Sequence, residues 1–158
     1  MKKPGTGGVP VPLTPAKYVP SDTKTTVIEI VSYEHKNPVG ILKNPYYGRE
    51  VSFGSATELL LAIDNMLDSL ACPQAAMASR RFRSKTTMLL RTIPRHQKPP
   101  LSVFKLNVVF RQNASWQGTL TWVDQAEQMP FRSVFELLKL IDSVMSPNEQ
   151  AGIQAGSK

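Results

Sequence analysis

The 158-residue sequence predicts an α+β domain made of two copies of a strand-rich unit that ends in a helix. An internal repeat and the pattern of apolar residues within each copy support this prediction. The repeat aligns residues 53–66 with residues 131–144 without gaps, and seven positions are identical. Gly40 and Gly118 continue the match upstream at the same offset of 78 residues. We therefore expect a tandem duplication, with two helices packed on antiparallel sheets in pseudo-twofold symmetry.

The second copy predicts strands followed by a capped helix. Apolar and polar residues alternate as in a half-buried strand, and a turn and two further strands follow. Ser133 with Glu136 forms a capping box, which satisfies backbone N–H groups at the helix start, and an apolar stripe follows on one helical face. The expected elements are a strand over 104–111, a turn over 113–118, a returning strand over 119–123 and a short strand over 127–131.

The first copy follows the same plan. A strand is expected over 27–33, and the Asn-Pro-Val-Gly sequence of residues 37–40 predicts a turn before the returning strands. Ser55 and Glu58 form the capping box of its helix. The apolar stripe of this helix runs from Leu59 to Leu70. Each copy thus places its strands first and closes with one helix.

The repeats divide the chain into five segments. Residues 1–24 are rich in Pro and Gly and should form a flexible arm, and residues 147–158 a flexible tail. Between them we expect the first repeat over 25–70, a basic connector over 71–103 and the second repeat over 104–146.

Several classes of protein are disfavoured by composition. The chain has no run of eighteen apolar residues, so no membrane span is expected. Its first lysines precede no apolar core, so no signal peptide is expected. Cys72 is the only cysteine, which excludes an internal disulfide and favours a reducing compartment. The expected location is the cytoplasm.

Positive charge is concentrated in one part of the chain. The net charge is +7, and no acidic residue lies between Asp68 and Asp124. A local excess of this kind is typical of a surface that binds a polyanion such as nucleic acid, although a solvated connector would have the same composition. The basic residues of this stretch are Arg80, Arg81, Arg83, Lys85, Arg91, Arg95, Lys98, Lys105 and Arg111.

No constellation of catalytic residues is recognisable. The two histidines, His35 and His96, have no nucleophile at a known motif spacing, and no glycine-rich phosphate loop follows a strand. A single cysteine makes no zinc site. The recurring Asp64 and Asp142 are expected on solvated helix faces rather than in a paired acid site. We therefore expect no enzyme, no cofactor and no metal.

The order of elements resembles the PUR repeat. The residues that carry the resemblance are the turns at 37–40 and 113–118 and the helices that begin after Phe53 and Phe131. The architecture is also similar to that of Whirly proteins. Both families bind single-stranded nucleic acid, so the resemblance implies non-enzymatic binding of single-stranded DNA or RNA, with no membrane partner and with a homodimer left open.

The candidate binding residues combine cations, aromatic rings and polar turn residues, because single strands are held by basic grooves and by rings stacked on bases. Trp116 has the alternative of folding over the sheet edge, and Trp122 is expected in the core. The candidates are Arg111, Gln112, Asn113, Trp116 and Gln117 in the second copy, Lys36, Asn37, Tyr46, Tyr47 and Arg49 in the first, and Arg80, Arg81, Arg83 and Arg91 in the connector.

Two other functions remain open from the sequence. Arg91-x-x-x-Arg95 with Asn113-x-Ser115-x-x-Gly118 resembles the motif pair of the PilZ domain, which implies a six-stranded barrel that binds cyclic-di-GMP. A protein-interaction module without a nucleotide ligand would use the same basic connector against an acidic partner. Salt-sensitive binding of an unrelated oligonucleotide distinguishes the nucleic-acid function from this last alternative.

Overall fold

The computed structural model describes residues 24–78, 80–82, 98–112 and 115–146. This part of the chain contains six strands and two α-helices, so the predicted α+β class is confirmed. In chain order they are β1 (Thr25–Glu34), β2 (Asn37–Lys43), β3 (Val51–Phe53), α1 (Ala56–Leu70), β4 (Ser102–Phe110), β5 (Gln117–Trp122), β6 (Glu127–Phe131) and α2 (Val134–Met145).

All six strands belong to one antiparallel sheet with the order β3-β2-β1-β4-β5-β6. Its centre is the β1–β4 pair, in which Val27 lies opposite Lys105. α1 contacts β2 and β3, and α2 contacts β5 and β6. β3 and β6 are the two edges of this sheet, which therefore differs from the closed barrel that the PilZ resemblance implies.

The core lies between the helices and one face of the sheet. Alternate residues of the central strands, among them Ile28 and Phe104, are fully buried in one cluster with Leu59 of α1 and Leu137 of α2. The intervening residues point to the opposite face because successive side chains of a strand alternate. On that face Lys105 is exposed. Neither described helix covers this second face, which we call the open face, although most of its residues are half-buried.

Both helices begin at the predicted serines. The hydroxyl oxygens of Ser55 and Ser133 each accept a hydrogen bond of 3.1 Å from the backbone N–H of Glu58 and Glu136. In each case the glutamate carboxylate accepts a bond of 2.7 Å from the N–H of the residue that precedes the serine, rather than from the serine itself. The capping boxes therefore form at the expected helix starts. They differ from the standard arrangement in that the glutamate binds the N–H one residue before the serine.

The predicted turn at residues 37–40 is wrong, because these residues lie inside β2. The chain reverses at His35 and Lys36, whose φ angles are 53° and 60°. Two positive φ angles in a two-residue loop define a type I′ turn, which matches the twist of the flanking strands. Gly40 lies within β2. Its position requires glycine because a Cβ atom there would overlap the carbonyl oxygen of Glu29. Close approach of two strands, and not a turn, requires this glycine.

The second hairpin differs from its prediction in a related way. β5 already begins at Gln117, and Gly118 lies in the strand against the carbonyl oxygen of Asn107. The short strand β6 has the predicted bounds. β4 begins at Ser102, inside the expected connector. The expected tail and nearly all of the expected arm lie outside the described residues, and so do residues 83–97 of the connector. Neither described helix is long and apolar enough to span a membrane.

Candidate nucleic-acid interface

Most carboxylates of the described residues are engaged within the protein. Glu29 pairs with Lys43 at 2.7 Å, and Asp142 pairs with Lys36 at 2.9 Å. Glu58 and Glu136 cap the helices. Asp124 accepts hydrogen bonds from Ser102, from the indole N–H of Trp122 and from the backbone N–H of Val103, and these bonds lower its pKa. Most carboxylates of the described residues thus have an ion-pair or hydrogen-bond partner within the protein.

Several cations, in contrast, have no such compensation. Arg80, Arg81, Lys98, Lys105 and Arg132 are exposed, and their side chains contact no carboxylate of the residues that the structure describes. Four of these five lie in the acid-free stretch of the sequence. This stretch therefore presents four exposed cations and contains no acidic residue.

Arg80 and Arg81 follow α1 and lie beside a fully exposed aromatic ring. Phe82 is the most exposed large apolar residue of the described chain. Exposed rings next to arginines are the usual means of holding bases and phosphates of a single strand together. Sequence reasoning missed Phe82, although the alternation of basic and aromatic residues in Arg80-Arg81-Phe82-Arg83 was the signal that could have found it.

Lys105 marks the centre of the open face. It lies in a row that crosses five strands in register, made of Lys43, Val27, Lys105, Thr121 and Gln128. Glu29 pairs with Lys43, whereas Lys105 of the same row has no carboxylate partner among the described residues. The side-chain oxygen of Asn107 on the same face is buried without a hydrogen-bond partner among the described residues.

Arg111 does not belong to this exposed set. Its side chain is 6% exposed, and its guanidinium contacts Asp64 at 2.5 Å and Asp68 at 2.8 Å. It also donates to the carbonyl of Pro73 at 3.3 Å. Two carboxylates neutralise its charge inside the protein, so the structure does not present it to a phosphate. The neighbouring Gln112 is exposed, whereas Asn113 lies outside the described residues.

The two tryptophans have different environments. Trp116 is 6% exposed and belongs to the core cluster, as in the alternative that folds it against the sheet. Trp122 is half-buried against the same core, and its indole N–H donates to Asp124 at 2.9 Å. Trp116 therefore offers no open face for stacking at the surface. Gln117 beside it is exposed.

The candidates of the first copy form two groups. At the first hairpin Lys36 binds Asp142, and the side chain of Asn37 donates to the carbonyl of Gly54 at 2.8 Å. In the loop between β2 and β3, the guanidinium of Arg49 lies 5.2 Å from the ring centre of Tyr47 and donates to its hydroxyl. Tyr46 in that loop is about half exposed. Arg83 and Arg91 lie outside the described residues.

The recurring aspartates are partly exposed and do not form a paired acid site, but both are bonded to other residues. Asp64 binds the buried Arg111, and Asp142 accepts a hydrogen bond of 2.7 Å from the hydroxyl of Tyr33. This bond and those from Lys36 and Ser146 lower the pKa of Asp142 to about 2. Burial, with the bond to Asp142, raises the pKa of Tyr33.

A pocket of about 650 Å³ brings three of the predicted site residues together. It lies between α1, the chain that follows α1, the β4–β5 connection and the start of α2. Arg80, Arg111 and Trp116 all line it, whereas the candidates of the first copy do not. The described residues that line it are Leu60, Leu61, Asp64, Ala75, Met77, Ala78, Arg80, Arg111, Ser115, Trp116 and Val134.

No group of three or more His, Cys, Asp or Glu residues that could hold a metal ion occurs in the described ranges. Cys72 is a free, buried thiol. In comparisons with known proteins, the chain matches no family model, no curated protein and no solved structure.

Proposed function

We propose that the protein binds single-stranded DNA or RNA without catalysing a reaction. The observation that carries this proposal is the unequal use of charge. The acids of the described chain are mostly consumed in ion pairs and helix caps, whereas Arg80, Arg81, Lys98 and Lys105 stay exposed without a carboxylate partner among the described residues. Free cations release counterions from a phosphate backbone, which drives binding of nucleic acid.

Single strands are favoured over duplexes by the aromatic residue in this surface. Phe82 is fully exposed next to Arg80 and Arg81. A ring stacked on an unpaired base contributes about 1–3 kcal/mol per base, and a duplex offers no unpaired base. The PUR and Whirly resemblance of the sequence points to the same ligand.

The proposal includes an origin by tandem duplication with pseudo-twofold symmetry. Equivalent positions of the two halves make equivalent contacts: Gly40 lies opposite Phe53 in its sheet pairing, and Gly118 lies opposite Phe131. The central pair of Val27 and Lys105 joins positions that are also 78 residues apart. Two such units together bury apolar faces that one alone would leave open.

The test is fluorescence anisotropy of labelled oligonucleotides over a salt series. Single-stranded DNA, single-stranded RNA and a duplex of equal length are each titrated with the full chain. We expect single strands to bind more tightly than the duplex and log affinity to fall linearly with log salt. Light scattering on the same sample reports whether two copies form a homodimer.

Matched variants identify the cations involved. Replacing Arg80 and Arg81 by Ala should weaken binding and reduce the salt slope by about 0.7 for each phosphate that the protein no longer neutralises. Arg132→Ala removes an equally exposed cation outside the acid-free stretch and should change the slope little. Absence of binding at low salt would refute the function, and tight saturable binding of cyclic-di-GMP instead would establish the PilZ-like alternative.

A further inference from the structure

The pocket beside α1 has an unused hydrogen-bond donor. Trp116 lines this pocket and is more than nine-tenths buried, yet its indole N–H makes no hydrogen bond to any residue that the structure describes. The nitrogen itself is not sealed from solvent, since Asn107 Oδ1 is the one buried side-chain polar atom without a partner in the described ranges. The indole N–H of Trp122, in contrast, donates to Asp124. The donor of Trp116 is therefore available to a bound molecule that carries an acceptor.

The other lining residues indicate which chemical groups a bound molecule should carry. Leu60, Leu61 and Met77 give the pocket apolar sides that suit a flat ring. Arg111 is already neutralised by Asp64, so Arg80 is the charged residue of the described lining that has no carboxylate partner among the described residues. The volume of about 650 Å³ lies within the range of about 300–1,000 Å³ that small-molecule sites occupy. A flat ring with acceptors and an attached anion fits this combination.

We infer that the pocket takes one base of a single-stranded nucleic acid. The indole N–H of Trp116 donates to a carbonyl oxygen or ring nitrogen of the base, and Arg80 binds a neighbouring phosphate. Proteins that take an unstacked base into a pocket recognise it by hydrogen bonds to its edge and by apolar contact with its faces. This inference rests on the proposed function and adds to it a site that distinguishes bases from backbone.

A filled pocket provides the first test. Ala78 lines the pocket, whereas Ala76, two residues earlier, is equally exposed and does not. The affinities of Ala78→Phe and Ala76→Phe are compared for a normal oligonucleotide and for an abasic one of the same length. We expect Ala78→Phe to weaken binding of the normal strand at least tenfold, to the level of the abasic strand. Ala76→Phe should bind both strands as the wild type does.

Indole fluorescence provides a second readout. Trp122→Phe leaves Trp116 as the single tryptophan of the chain. Its emission should change in a saturable way with the normal strand and stay constant with the abasic strand. If both strands bind equally, Ala78→Phe matches Ala76→Phe and the emission stays constant, the pocket inference is overturned while the proposed function stands. If neither strand binds at low salt, the proposed function fails as well.

Discussion

The guanidinium of Arg111 and the carboxylate of Asp64 lie 2.5 Å apart although 47 residues separate them in the chain. This ion pair joins the segment after β4 to α1. Tyr33, near the end of β1, donates in turn to Asp142 of α2, 109 residues away. α1 is thus bonded to the residue that follows β4, and α2 to a residue near the end of β1. In each case the helix and the central strand come from different halves of the chain. Each recurring aspartate thus adds a side-chain bond between the two halves, beside the β1–β4 pairing.

The first prediction concerns the stability that Arg111 provides. Arg111→Met removes a buried cation and leaves Asp64 and Asp68 without it. Breaking a buried pair costs about 3–5 kcal/mol, and the partial exposure of both carboxylates reduces this to about 2–3 kcal/mol. Urea denaturation should show a decrease of this size in the free energy of unfolding.

The control for Arg111→Met is a second arginine. Arg132→Met removes an exposed side chain and should change the free energy of unfolding by less than about 0.5 kcal/mol. In the Asp64→Asn background, Arg111→Met should cost less than in the wild type, because part of the pair is already gone. Equal decreases for the two arginines would contradict the structural role of Arg111.

The second prediction is a pH dependence from Tyr33 and Asp142. The folded-state pKa of Asp142 is about 2 against an ordinary 3.8, because Tyr33 and Lys36 bond to the charged carboxylate. Its stabilising contribution is therefore present above about pH 4 and lost as the pH falls through about 2. Tyr33→Phe should return the pKa of Asp142 towards 3.8. NMR titration of the Asp142 carboxyl carbon measures this directly.

The pH dependence of the free energy of unfolding tests the same bond between Tyr33 and Asp142. The difference in free energy of unfolding between the wild type and Tyr33→Phe should be largest at neutral pH and should shrink as the pH falls from about 4 to about 2. Tyr46→Phe alters an exposed tyrosine of the β2–β3 loop and should leave the Asp142 titration unchanged. A difference that grows on acidification would contradict the bond.

The third prediction concerns the two strand glycines. An alanine at Gly40 or Gly118 would place its Cβ against the carbonyl oxygen of the paired strand, which is backbone and has no room to move. Each substitution should cost at least about 2 kcal/mol, measured by thermal unfolding. At Gly54 the nearest atom to a new Cβ is a carboxylate oxygen at 3.3 Å, on a flexible side chain. Gly54→Ala should therefore be tolerated.

The fourth prediction concerns the left-handed backbone at His35. Its φ of 53° disfavours most side chains, whereas asparagine tolerates this region. His35→Asn should raise the free energy of unfolding by about 0.5 kcal/mol, and His35→Val should lower it by about 1 kcal/mol, because a β-branched residue fits there worst. The reverse order in chemical denaturation would show that the turn has another geometry.

The sequence predicted those elements that depend on neighbouring residues. Ser55 and Ser133 start the helices because a capping box is complete within four residues. β6 follows from a short segment between two turns, and the strand-then-helix order follows from periodicity. These signals need no information about the rest of the fold.

The predictions failed for residues whose environment is set by parts of the chain that are distant in sequence. Gly40 looked like a turn residue, but its role depends on how closely β1 approaches β2. Arg111 looked like a free cation, because nothing in its neighbourhood shows that Asp64 and Asp68 lie beside it. Trp116 was a candidate for stacking on bases because its sequence neighbours are polar, but its side chain is buried in the core cluster. Contacts between the two halves cannot be predicted from patterns of neighbouring residues.

The position of β1 at the centre of the sheet has a consequence during synthesis. β1, β2, β3 and α1 leave the ribosome before β4, the second neighbour of β1, which begins at Ser102. Until then a nascent chain that has reached Leu70 carries a long, unpaired strand edge of the kind that recruits other strands. We therefore expect a nascent chain that has not yet formed β4 to aggregate more readily than the complete sheet, in which β4 covers this edge of β1.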